Sequence, residues 1–150
     1  MAEYIGNDLV EVLNNGETIT FNSSIPCTKG YIYHEDGSGI FILRGITNNC
    51  FARYEVTFNG NIAIPEGGDI TPIAIGITEN GEVVTQSVAI FTPQAVDEYG
   101  NVTSTATITV PRGCCFTVAV RYVNGVTDGT TTPTPTINVR NSSVRIVRTA

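Results

Sequence analysis

The chain has a single histidine, His34, four cysteines and fourteen acidic residues, and these bound whatever chemistry it can perform. A histidine-centred triad would have to join His34 to a distant serine or cysteine and to a carboxylate. Nothing local supports that geometry, so His34 reads as a strand-end histidine hydrogen-bonded beside an acidic loop. The run HEDGSG from His34 to Gly39 has the composition of a phosphate or calcium loop. It lacks the Lys-Ser/Thr pair of a P-loop and the spaced ligands of an EF-hand, and it reads as a turn.

Carboxylates are paired at Glu35/Asp36, Glu66/Asp69 and Asp97/Glu98. Paired catalytic acids need a cleft that raises one pKa, whereas acids on loops are ordinarily solvated. No catalytic residue is assigned, no enzyme activity is expected, and the only ion with a plausible home is a weakly held Ca2+ on clustered loop oxygens. The cysteines Cys27, Cys50, Cys114 and Cys115 contain no CxxC pair of a zinc or redox site. Cys114 and Cys115 are adjacent, too close at Cα for an ordinary disulfide and directed to opposite faces of a strand, so free thiols are expected. Cys114 has no basic residue nearer than Arg112 to activate it. Asn22, Asn101 and Asn141 match the N-x-Ser/Thr pattern but follow no signal peptide. Tyr31, Tyr33, Tyr54 and Tyr122 have faces that could stack on sugars, although core or subunit-contact duty is the preferred reading.

The elements that must position these groups are strands. Thr, Asn, Gly, Val and Ile are plentiful and charged residues are few, the composition of a sheet protein with hydroxyls and amides outside. The formal net charge is −6 with no basic cluster other than Arg140, Arg145 and Arg148, so nucleic acid is not an expected partner. No apolar run approaches the ~20 residues of a membrane span, and MAEYIGNDLV is not a secretory leader, which predicts synthesis and folding in the cytoplasm.

The stretch Cys50 to Pro65 organises the rest. Ala52, Tyr54, Val56, Phe58, Gly60, Ile62 and Ile64 alternate with polar residues, a period of two that predicts one long strand with a buried face. Residues 9 to 13 and 17 to 21 read as strands about an Asn14-Asn15-Gly16 turn. Tyr31 to His34 and Ile40 to Leu43 form either a hairpin or one strand broken by a glycine-rich bulge. Ile73, Ile75 and Ile77 share a face, and Asn80-Gly81 predicts a type I′ turn that returns Glu82 to Ile90 antiparallel. Val102 to Val110 alternates with four threonines, and Phe116, Val118, Val120 and Tyr122 are the inward set of Cys114 to Val123. Asp128 to Pro135 is a polar extended loop, after which Ile137 to Arg140 and Val144 to Arg148 read as a hairpin about Asn141-Ser142-Ser143. The sum is an N-terminal arm, residues 1 to 8, and one antiparallel two-sheet sandwich over residues 9 to 150.

Four segments, GETITFN (Gly16 to Asn22), FILRG (Phe41 to Gly45), FARYEVTFNGNIAIP and TITVPRGCCFTVAV (Thr107 to Val120), resemble the TNF/C1q-like jelly roll of small prokaryotic and phage proteins. The C-terminal domain of the spore-surface collagen-like protein of bacilli and short reading frames of gut Firmicutes phages and prophages are similar. The resemblance implies an all-β jelly roll of about ten strands assembled as a homotrimer, with Tyr54, Phe58, Phe116 and Tyr122 as candidate interface residues. Some strands carry enough apolar residues for two buried faces, as in Ile40-Phe41-Ile42-Leu43, which a trimer would cover. The resemblance further implies a virion-surface protein, a capsid decoration or head-fibre module whose partner is a phage capsid protein. The alternative is a carbohydrate-binding adhesion module holding a glycan on outer loops that carry Glu35, Asp36, Asp97, Glu98 and Asp128.

Overall fold

A computed structural model describes residues 2–6, 10–25, 31–35, 37–68, 70–123 and 136–149. Among these residues the chain forms two six-stranded antiparallel sheets. The first holds β1 (Ala2–Gly6), β2 (Glu11–Leu13), β3 (Phe21–Ile25), β6 (Phe51–Ala63), β10 (Gly100–Pro111) and β12 (Ile137–Arg148), in the order β10-β6-β12-β1-β3 with β2 also on β12. The second holds β4 (Ile32–His34), β5 (Ile40–Arg44), β7 (Ile73–Glu79), β8 (Glu82–Val83), β9 (Ala89–Phe91) and β11 (Cys115–Val123), in the order β4-β5-β11-β7-β8 with β9 also on β7. One 3-10 turn, Thr85–Ser87, is the only helical element described.

The strand predicted to organise the chain does so. β6 lies between β10 and β12, and its even-numbered residues from Ala52 to Ile62 are buried while the odd ones face out. Its Tyr54, Val56 and Phe58 meet Phe41, Leu43, Val118 and Val120 of the second sheet in one core. Burial of side chains this large drives the fold, and deleting one such ring costs about 3–5 kcal/mol. β10 alternates as read, with Val102, Ser104, Ala106, Ile108 and Val110 inward and the threonines outward. The β4/β5 reading resolves as a hairpin, since Tyr33 pairs with Ile42 antiparallel. Asn80 and Gly81 take φ of 51° and 88°, as a type I′ turn requires.

Other segments depart from expectation. Residues 2 to 6, read as part of an arm, form a strand between β12 and β3, with Ala2 opposite Ile146. Residues 137 to 148, read as a hairpin, are one continuous strand, because both halves run antiparallel to β6 in the same direction. Asn141, at φ 54°, marks a bulge between Arg140 and Ser143. The Asn14–Gly16 turn does not close a hairpin; it carries the chain from β2 on the first sheet to Ile19, whose N–H donates to Val120 in the second. The return from the Asn80-Gly81 turn breaks at Thr85–Ser87 before β9 pairs again with β7. There the Ser87 hydroxyl bonds Val84 and Ile77, holding the break against β7. β7 is buried on both faces, since Gly76 packs under Val83, Val88 and Val123.

Candidate functional site

The outward side chains of β6, β10 and β12 form three cross-strand rows on the first sheet. They are Thr107, Glu55 and Val147; Thr105, Thr57 and Arg145; and Thr103, Asn59 and Ser143. Alternation places them there, because the inward partners on each strand are committed to the core. A groove of about 420 Å3 runs over the β6 and β12 members, Glu55, Thr57, Asn59, Ser143, Arg145 and Val147. The amide of Asn101 donates to Asn59 Oδ1 at 3.0 Å and to Asn61 Oδ1 at 3.3 Å, and the Thr103 hydroxyl donates to Asn59 Oδ1 at 3.0 Å. One carboxylate and one guanidinium stand among nine side chains, so the face offers hydroxyls and amides with little charge to desolvate. Its chemistry is that of recognition, with donors and acceptors set at the spacing of the strands.

A smaller hollow of about 130 Å3 lies on the outer face of the second sheet, between Ile40, Thr78, Thr117, Ala119 and Arg121. Ile40, Ala119, Thr78 and Val83 form a row there, and Ile40 is 50 % exposed. The second apolar face read in Ile40-Phe41-Ile42-Leu43 is this one.

The candidate site residues are scattered. His34 stacks on Phe41 with ring centroids 4.5 Å apart, meets Tyr4 edge-on at 4.8 Å, and bonds the Ser38 carbonyl through Nε2 at 2.8 Å. Glu35 is exposed on the β4–β5 turn, while Asp97 and Glu98 are exposed between β9 and β10. Asp36, Asp69, Asp128 and the loop to Pro135 lie outside the described residues, as does Cys27. No three His, Cys, Asp or Glu side chains among the described residues come together in a way that could hold a metal ion.

Three of the four candidate interface residues are instead core of a single subunit. Tyr54 and Phe58 are fully buried and Tyr122 is 1 % exposed, because inward alternation spends them between the sheets. Phe116 is partly buried and packs against the same core. The Tyr54 hydroxyl donates to the Arg44 carbonyl at 2.6 Å, so its polar end is satisfied inside. Burial pushes the Tyr122 hydroxyl up to about 12. Glu11 is raised by burial although Thr20 donates to it through both its N–H and its hydroxyl, which acts in the opposite sense.

The groove was not read from the sequence as a site. The threonine periodicity of β10 was its visible half; the other half, Ser143, Arg145 and Val147, lay in a segment read as a hairpin.

Solved structures give the fold an independent reference. Eiger TNF from S. frugiperda superposes with a TM-score of 0.65 at 13% identity, over 99% of this chain and 91% of that one. The globular domain of zebrafish complement 1qA gives 0.55 at 12% identity, over 96% and 94%. The chain has a TNF/C1q-like jelly-roll fold. Murine APRIL matches with a TM-score of 0.54 at 10% identity, over 96% and 97%. No family model and no curated protein matches the sequence. At these identities the likeness is one of fold. No helix among the described residues is long and apolar enough to cross a membrane.

Proposed function

We propose that the protein is a non-enzymatic structural module that assembles as a homotrimer through the outer face of its first sheet and serves on a virion surface as a capsid decoration or head-fibre unit. The observation that carries the reading is the face itself. Three strands present rows of Thr, Asn and Ser with a single Glu55, a single Arg145 and Val147, and among the described residues no other element lines the groove between β6 and β12. Such a face has little charge to desolvate, and a symmetry copy can bond the hydroxyls and amides whose burial would otherwise be costly. Support for the virion setting is the resemblance of the Gly16–Asn22, Phe41–Gly45, Cys50–Pro65 and Thr107–Val120 segments to phage-encoded jelly rolls.

Sedimentation equilibrium is expected to return three times the mass of the 16.0 kDa chain. The double substitution Thr57→Lys, Thr105→Lys places two unpaired ammonium groups per subunit in one row and is expected to return the mass of one chain with an unchanged circular dichroism spectrum. A wild-type protein that sediments as one chain at micromolar concentration ends the trimer reading. Mass spectrometry of purified virions tests the setting.

A second reading rests on the same groove, whose hydroxyls and amides match those of a sugar. It takes a glycan and leaves the protein's mass unaltered. Glycan-array binding lost on Thr57→Lys, with no change in mass, selects this reading over the first.

A further inference from the structure

Two turns meet at one end of the sandwich, residues 45 to 50 between β5 and β6 and residues 112 to 114 between β10 and β11. Gly45 N–H donates to the Cys114 carbonyl at 2.8 Å, Gly113 N–H to the Gly45 carbonyl at 3.0 Å, and Arg112 N–H to the Cys50 carbonyl at 3.0 Å. The fit is close enough that a Cβ on Gly45 would overlap the Pro111 carbonyl oxygen. This lacing gathers Cys50, Cys114 and Cys115 at a single end, and all three are free and exposed. Free cysteine is ordinarily among the most buried residue types, so two exposed on laced turns and a third at the start of β11 are a departure from packing logic.

The charged side chains on the two turns and on the strand ends beside them, Arg44, Arg53 and Arg112, are of one sign. Cys115 pairs directly with Arg44 across β11 and β5, and both project to the outer face of the second sheet. Arg112 sits on the turn itself, and Arg53 lies over the ring of Phe51, which pairs with Pro111. Neither Arg44 to Arg53 nor Thr109 to Thr117 contains a carboxylate, in a chain whose formal net charge is −6. Opposed arginines at two such ends disfavour head-to-head contact between copies, and no metal-holding group forms among the described residues. What the field favours is a small anion that reacts with a thiol.

We infer that this end is a site of reversible S-thiolation by anionic low-molecular-weight disulfides, of which oxidised glutathione is the probe. A thiolate of the cluster attacks one sulfur of the disulfide, a protein–glutathione S–S bond forms as the original S–S bond breaks, and the departing glutathione thiolate takes up a proton. The protein sulfur is oxidised and one glutathione is reduced; a second thiol reverses the step. The site lies outside the groove on the first sheet, so it stands or falls separately from the proposed assembly.

The test is intact-mass spectrometry of the full-length native chain incubated with oxidised glutathione or, in parallel, with cationic cystamine, followed by peptide mapping. Adducts are expected at Cys50, Cys114 or Cys115, about tenfold faster with the anionic disulfide at low salt, the lower end of what steering by a local field supplies. Raising the salt should shrink that ratio, and the triple substitution Arg44→Ala, Arg53→Ala, Arg112→Ala should bring the two rates within about twofold of each other. The exposed-thiol substitutions Cys50→Ser, Cys114→Ser and Cys115→Ser together should abolish the adducts. Modification confined to Cys27, an equal or faster reaction with cystamine, or disulfide-linked chains without adducts would overturn the proposal.

Discussion

Tyr54 shows how much a single side chain can be asked to do. Its ring fills the core and its hydroxyl reaches the Arg44 carbonyl at the point where β5 gives way to the 45–50 turn. Removing only the oxygen, Tyr54→Phe, leaves a partly buried carbonyl short of a donor and is expected to cost about 1 kcal/mol in urea denaturation. The mass in solution should not change, since the residue has no exposed surface. Glu11 makes a different prediction. Its folded-state pKa lies above the ordinary value of 4.5, so the folded state holds the proton more tightly than the unfolded chain. Its contribution to stability is therefore greatest below 4.5 and is lost as the pH rises through the raised value. Glu11→Gln keeps an acceptor for Thr20 and removes the charge. Thermal midpoints measured from pH 4 to 7 should fall less steeply for the variant than for the wild type across that window.

At the scale of elements, what could be read from the sequence was what period two can show. β6 and β10 alternate over long runs, and their buried faces were legible residue by residue. Asn80-Gly81 was legible because positive φ at two successive positions has few hosts. Asn141 was the counter-example: an asparagine at positive φ serves a turn or a bulge equally well, and only the pairing of both halves of β12 with β6 decides between them. β1 has too few residues to show a period, and its partners lie some 140 residues away or in a different segment of the N-terminal third. The polar groove was hidden for the same reason, being assembled from strands distant in sequence. The bulge itself is testable. Asn141→Val places a β-branched residue where φ is 54°, and should destabilise by about 1–3 kcal/mol in urea denaturation while circular dichroism keeps its sheet signature.

For the whole molecule, the sandwich has three distinct surfaces with three distinct chemistries. The first sheet offers hydroxyl and amide rows, the second an apolar row about Ile40, and one end carries thiols rimmed by arginine. A homotrimer through the first of these makes stability depend on protein concentration, so the thermal midpoint of the wild type should rise with concentration while that of Thr57→Lys, Thr105→Lys does not. β1 and β12 are antiparallel neighbours, with Ala2 opposite Ile146, so both terminal strands begin or finish at the same end of the sheet. Tension applied between residues 2 and 148 would load the pairs of that seam one after another, as in opening a zipper, rather than all at once in shear. A fold held together by a continuous core is thus soft against a pull that parts its first strand from its last.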